Sequence, residues 1–179
     1  MVFGVPKETY PGEKRVAMIP AVLPALKKLG LEVWIESGAG AGAHLSDEDF
    51  RQAGAQIASS RQELLAKSDI VAYVRAPGAD KNNLGDLAQI KKGAVLLGHT
   101  EPFASAEIAL QIAQAGLTSF SLELVPRITR AQSMDVLSSM ASMAGYRAVL
   151  LAATHFGRIF PMYMTAAGTL LPAKVFIVG

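Results

Sequence analysis

Arg127, Arg130, Gln132, Asp135, Ser138, Ser139, Ser142 and Tyr146 stand close together in one stretch of a 179-residue chain. A guanidinium, an amide, a carboxylate and a row of hydroxyls supply donors and acceptors of fixed geometry, a set suited to a planar, amide-bearing ligand. From Met134 onward Leu137, Met140, Ala144, Ala148 and Leu151 recur every three or four residues, which predicts an α-helix with a buried apolar face. Asp135, Ser138, Ser139, Ser142 and Tyr146 fall on another face of the same helix. Asp and Ser side chains compete with the helix backbone for hydrogen bonds, so a stripe of them calls for an external partner. A second reading stays open, in which Arg127 and Asp135 form a structural ion pair and the serines allow close helix packing.

Other groups with chemical potential are fewer. Lys7, Glu8, Glu13 and Arg15 cluster after the first strand-like run, where α/β sheets place ligands, and Arg15 has the fork to grip a carboxylate. An ion pair is the alternative role for Arg15. His99 follows an apolar strand and reads either as a general base or as a hydrogen-bonded loop residue. Glycines at 38, 40 and 42 read as a strand-to-helix turn, because GAGAGA lacks the spacing of a phosphate cradle. With no cysteine there is no disulfide or thiolate chemistry, and three scattered histidines make no metal motif.

The elements that must carry these residues alternate. Strands are expected over Val2–Val5, Glu32–Ser37, Ile70–Val74, Ala94–Leu97 and Thr118–Leu122. Helices are expected over Ala21–Leu29, from the Ser46 cap, and over Arg61–Lys67, Leu84–Ile90, Ala106–Ala115 and Ser133–Phe156. Such alternation implies parallel pairing through βαβ units and an α/β, Rossmann-like three-layer sandwich with a mainly parallel sheet. The expected organisation is an N-terminal lobe over residues 1–130, a long helix and connection over 131–172, and an apolar strand over 173–179. That last strand has the form that opens a second, dinucleotide-binding lobe, with its Gly-rich turn starting at Gly179.

Composition narrows the classes. Hydrophobic residues make up 51% and charged residues 18% of the chain, with a mean hydropathy of +0.31, which fits a packed domain. A net charge of +2 with scattered Lys and Arg argues against nucleic acid. The apolar runs Ala148–Ala153 and Leu170–Val178 are broken by polar residues well short of a span, so no transmembrane helix is expected. The first residues carry no signal or transit pattern, and a cytoplasmic setting is expected.

The run PRITRAQSMDVLSSM at 126–140, followed by AGYRAV at 144–149, resembles the nicotinamide-contacting loop of the alpha-subunit family of proton-translocating NAD(P) transhydrogenases. VPKETYPGEKRVAMIP at 5–20, ESGAGAGA at 36–43, AGAQIA at 53–58 and FPMYMTAAGTLLPAKV at 160–175 resemble that family in the same order. The opening segments and the glycine run are shared with the related alanine dehydrogenases, and the 127–138 loop discriminates between the two.

The resemblance implies the NAD(H)-binding component of a transhydrogenase, with hydride passing from NADH to NADP⁺. It implies that Arg127 and Ser138 hold the nicotinamide carboxamide or ribose, and that Asp135 fixes Arg127. Gln132 would reach toward NADP(H) on a partner subunit, which makes Gln132 and Asp135 the catalytic candidates. A homodimer, an NADP(H)-binding subunit, membrane subunits that move the proton, and a place at the cytoplasmic side of an inner membrane are implied in the same way. The resemblance also implies that this chain alone is inactive and binds NAD(H) weakly. The alternatives are an alanine-dehydrogenase-like oxidoreductase, which Arg75 at an expected lysine position argues against, and a non-enzymatic interaction domain.

Overall fold

Strand β1 (Val2–Val5) pairs in parallel with both β2 (Glu32–Glu36) and β4 (Ile70–Arg75), so it lies inside the sheet. Beyond β2 comes β3 (Gln56–Ala58), and beyond β4 come β5 (Val95–His99) and β6 (Thr118–Ser121), all parallel, in the order β3-β2-β1-β4-β5-β6. The computed structural model describes residues 1–178 and divides into two compact bodies, one ending at Met134 and the other starting at Asp135.

The first body is the sheet with its helices: α1 (Leu23–Lys28), α2 (Asp47–Gln52), α3 (Arg61–Lys67) and α4 (Ala106–Gln114). Alternation along β4 explains the layers. Val71 and Tyr73 enter one core with Leu64 and Leu65 of α3, Leu96 of β5, and Ile108 and Ile112 of α4. Ala72 and Ile70 face the other core, with Phe3, Val5, Val33, Ile35, Leu23 of α1 and Phe50 of α2. Two cores on opposite faces of one parallel sheet make the three-layer α/β sandwich that the strand–helix alternation predicts.

Local signals account for several elements. Ser46 accepts from the Asp49 N–H while Asp49 accepts from the Ser46 N–H, a reciprocal box that starts α2. Ser60 caps α3 through the Glu63 N–H. The glycine run is a turn, as expected. A Cβ at Gly40 would lie 2.6 Å from the Phe50 ring and one at Gly42 would lie 2.8 Å from the Lys14 carbonyl, so the run is packed against the chain itself.

Some expectations give way. The segment expected as a helix at Leu84–Ile90 is a 3-10 helix over Lys81–Ala88, since Asp80 caps it through Asn82 and so favours a tight turn. Strand β3 went unread because three residues are too short to show a period.

The second body contains the 21-residue helix α5 (Val136–Phe156) and an antiparallel hairpin, β7 (Tyr163–Thr165) with β8 (Gly168–Leu170). The buried face expected for α5 is not buried: Met140, Met143, Tyr146, Val149, Leu150, Leu151 and Phe156 are all exposed. Its apolar residues also spread around the helix instead of forming a narrow stripe, so the periodicity marked a surface and not a core. Helix α5 is long and apolar enough to cross a membrane by length and composition. Of the two apolar runs, Ala148–Ala153 lies within it, just after Arg147, and Leu170–Val178 lies outside it.

Residues 171–178 carry no strand, and Val175, Phe176, Ile177 and Val178 are exposed. Its backbone hydrogen bond from the Ala173 N–H to the Phe160 carbonyl, at 2.9 Å, does not make a ladder, and a strand is defined by a ladder. Gly179, where the Gly-rich turn was expected to begin, lies outside the described residues.

Candidate functional site

Strand order reverses between β1 and β4, and open α/β sheets bind ligands in the crevice at the carboxyl ends of strands that flank such a reversal. Here that crevice is filled with charge. Glu8, three residues beyond β1, accepts the N–H groups of Val74 at 2.7 Å and Arg75 at 3.0 Å. The ladder between β4 and β5 shifts register between Ala72 and Arg75, which leaves those two N–H groups for Glu8. Burial raises the Glu8 pKa, against the lowering effect of the two N–H groups.

Glu13 is the centre of the second cluster. It accepts from Arg15 Nε at 2.7 Å and Nη2 at 2.6 Å, and from Arg75 Nε at 3.3 Å. Chiefly through the Arg15 hydrogen bonds, its pKa is lowered to about 2. The Arg75 guanidinium lies 4.1 Å from the centroid of Tyr10. His99 of β5 pairs in register with Arg75 of β4, and burial lowers its pKa.

A third cluster braces the crevice. Arg61 grips Asp86 with Nε at 2.8 Å and Nη2 at 2.6 Å, while its Nη1 donates to Glu36 at 3.0 Å and to the Lys7 carbonyl at 2.7 Å. Tyr73 donates its hydroxyl to Asp86 at 2.7 Å. The loop after β1 is thereby tied to β2, α3 and the 3-10 helix. On the far side Glu123 accepts the Thr100 and Glu101 N–H groups, holding Glu101 at a left-handed φ of +47°.

The sequence-predicted loop is divided between the bodies. Arg127 and Gln132 are exposed on the first, with Gln132 in a 3-10 helix over Thr129–Met134 that is anchored by buried Ala131. Asp135 and Ser138 open the second. Asp135 is the N-cap of α5, not a member of its face: its Oδ1 accepts the N–H groups of Leu137 at 3.1 Å and Ser138 at 2.9 Å. Its Oδ2 accepts the Ser138 hydroxyl at 2.6 Å. With its proton committed to Asp135, Ser138 Oγ turns lone pairs outward as an acceptor. Ser139 and Ser142 instead donate back to the carbonyls of Asp135 and Ser138, the intrahelical habit of such residues. Tyr146 is exposed.

Sequence reading placed Glu8, Glu13 and Arg15 in one cluster but missed Asp86, Glu123 and the backbone role of Glu8. Their partners lie 13 to 67 residues away, and no local spacing signals such contacts.

Fold and crevice together define a Rossmann-like α/β domain with a charged crevice at the switch point of its parallel sheet. The chain belongs to the family described as alanine dehydrogenase/PNT, N-terminal domain, which matches residues 4–144. It is 45% identical over its full length to the first portion of the NAD(P) transhydrogenase alpha subunit of Rhodospirillum rubrum, covering 47% of that protein. The solved transhydrogenase of Sinorhizobium meliloti superimposes with a TM-score of 0.86 at 40% identity, over 97% of this chain and 50% of that one. Alanine dehydrogenase of Mycolicibacterium smegmatis is a more distant relative, 29% identical over all of this chain and 47% of its own length. The chain thus spans a third to about half the length of the curated relatives it matches.

Proposed function

We propose that this chain is the N-terminal part of the NAD(H)-binding component of a proton-translocating NAD(P) transhydrogenase, and that its 127–138 loop holds the nicotinamide. The carrying observation is the committed hydroxyl of Ser138. Asp135 orients it as an acceptor at the start of α5, which is what a carboxamide NH₂ or a ribose hydroxyl requires. The family resemblance assigns Arg127 to the nicotinamide carboxamide or ribose as well, and Gln132 to the side of the second nucleotide.

When bound, the nicotinamide of NADH supplies the hydride, and the NADP⁺ ring on a partner subunit receives it. The chain's residues need only fix the ring and exclude water, because direct transfer between two apposed rings involves no proton. Half-buried His99 therefore has no acid–base step to perform in this reading.

The exposed apolar surface of α5, of the β7–β8 hairpin and of residues 175–178 is extensive enough to mark a contact surface. It fits a homodimer contact and the packing of a second lobe. An NADP(H)-binding subunit and membrane subunits complete the assembly, at the cytoplasmic side of the membrane. Helix α5 remains outside the lipid in this reading, since Arg147 near its middle would cost about 3 kcal/mol or more at a bilayer centre.

The reading is tested by combining this chain with the second lobe and the NADP(H)-binding subunit and following hydride transfer between the nucleotides. Transfer that requires all three components and falls in Gln132→Ala supports it. Transfer unaffected by that change contradicts the loop assignment. A stable complex with no nucleotide dependence would instead identify a docking domain.

A further inference from the structure

The loop that carries Arg127 and Gln132 is rooted at Glu123. Strand β6 is the outermost strand on its side of the sheet, bonded to β5, and it ends at Ser121. A 3-10 turn over Leu122–Leu124 follows, closed by the Val125 N–H on the Leu122 carbonyl at 3.3 Å. From that turn the Glu123 side chain reaches the segment beyond β5, where its Oε1 accepts the N–H groups of Thr100, at 3.0 Å, and of Glu101. A hydrogen bond between the Thr100 and Ser121 hydroxyls runs beside it. One oxygen does the holding: Glu123 Oε2 is buried and accepts no hydrogen bond among the described residues.

The point of attachment is rigid. Thr100 is buried, and its carbonyl lies so close to Gly78 that a Cβ does not fit there. The Gly78 carbonyl accepts the Ser105 hydroxyl at 3.3 Å, and the Ala76 N–H donates to the His99 carbonyl at 2.9 Å. Glu101 keeps a φ of +47°, uncommon for a residue with a side chain, while its N–H is committed to Glu123. At its other end the loop is fixed by buried Ala131, whose N–H donates to the Ile128 carbonyl at 2.9 Å. Exposed Arg127 stands midway, four residues from each anchor.

We propose that Glu123 is a positioning residue for nicotinamide binding: by tying the root of the loop to the backbone beyond β5, it sets where the Arg127 guanidinium stands. This inference rests on that loop holding the nicotinamide. Hydrogen bonds weaken steeply with distance and angle, so a loop released at its root forfeits what Arg127 contributes to NADH binding. Glu123 touches neither nucleotide in this account and acts through Arg127.

The test is an NADH fluorescence titration of this chain reconstituted with the second lobe, with Tm measured on each variant. Glu123→Ala should lower Tm and weaken NADH binding by about tenfold, the worth of the Arg127 hydrogen bond. Glu123→Gln keeps one oxygen for both N–H groups and should bind NADH close to wild type. Adding Glu101→Gly to Glu123→Ala should restore Tm, because glycine takes φ +47° without a tether. NADH affinity should stay low in that double variant, since residue 123 is still untied. Adding Arg127→Ala to Glu123→Ala should weaken binding no further than Arg127→Ala alone. If Glu123→Ala does not fold, Glu123→Asp replaces it in every comparison, being a methylene too short to reach both N–H groups. Wild-type affinity in Arg127→Ala would remove the nicotinamide reading and this inference with it. With Arg127→Ala weakened as expected, four results would overturn the role of Glu123 alone: wild-type affinity in Glu123→Ala, affinity that returns with Tm on adding Glu101→Gly, Glu123→Gln as weak as Glu123→Ala, or additive losses with Arg127→Ala.

Discussion

Asp135 and Ser138 are joined twice, by the Ser138 N–H to Oδ1 at 2.9 Å and by the Ser138 hydroxyl to Oδ2 at 2.6 Å. One carboxylate thereby starts a 21-residue helix and fixes the polarity of a hydroxyl. The two roles separate under mutation. Asp135→Asn keeps a good cap, so Tm should change little, but an amide nitrogen now donates to Ser138 Oγ and consumes a lone pair. Asp135→Ala should lose both roles, at a cost to the helix of about 1 kcal/mol. Circular dichroism and NADH affinity, measured on both variants in the assembled protein, check this; equal losses of stability would contradict it.

Arg61 supports the crevice from beneath. Asp86 has 5% side-chain exposure and accepts from both Arg61 and Tyr73, so Arg61→Ala strands a buried charge. The expected loss is about 3–5 kcal/mol in urea unfolding. Arg61→Lys should recover only a minor part, because a single ammonium cannot reach Asp86, Glu36 and the Lys7 carbonyl together.

Glu8 is bound through its two oxygens to two successive N–H groups of β4. Glu8→Gln places an NH₂ against one of them, leaving a buried donor unsatisfied at a cost of about 1–3 kcal/mol. Hydrogen exchange should accelerate at Val74 and Arg75 before it does at Val71. Unchanged protection at those amides would contradict the assignment.

Acid stability follows from two groups of opposite charge type but the same sign of slope. The Glu13 pKa falls from 4.5 to about 2 on folding, so its contribution is complete above pH 4.5 and is lost as pH falls toward about 2. His99 is held below 6.5, so the unfolded chain binds its proton more readily and stability declines as pH drops below 6.5. Glu13→Gln should flatten the acid limb of a Tm–pH curve, and His99→Gln should flatten the limb just below pH 6.5.

The frame of the fold was legible because its signals are local. The Ser46–Asp49 box, the β4 alternation and the Gly38–Gly42 turn each lie within a few residues. Strand β3 and the β7–β8 hairpin escaped because three-residue strands show no period. The apolar recurrence in α5 reads as burial, yet its apolar residues spread around the helix and stand exposed. In the site, residue types were visible and partners were not. Nothing in the spacing of Glu8 announces Arg75, since the sheet, and not the helix period, brings them together.

The most direct test of the nicotinamide loop is an NADH fluorescence titration of this chain alone and then with the second lobe supplied, in wild type and Arg127→Ala. The account predicts weak or absent binding alone and saturable binding on reconstitution. Arg127→Ala should weaken the reconstituted site by about tenfold, the worth of one charge-assisted hydrogen bond. Tight binding by the isolated chain, or reconstituted binding that Arg127→Ala leaves unchanged, would contradict it.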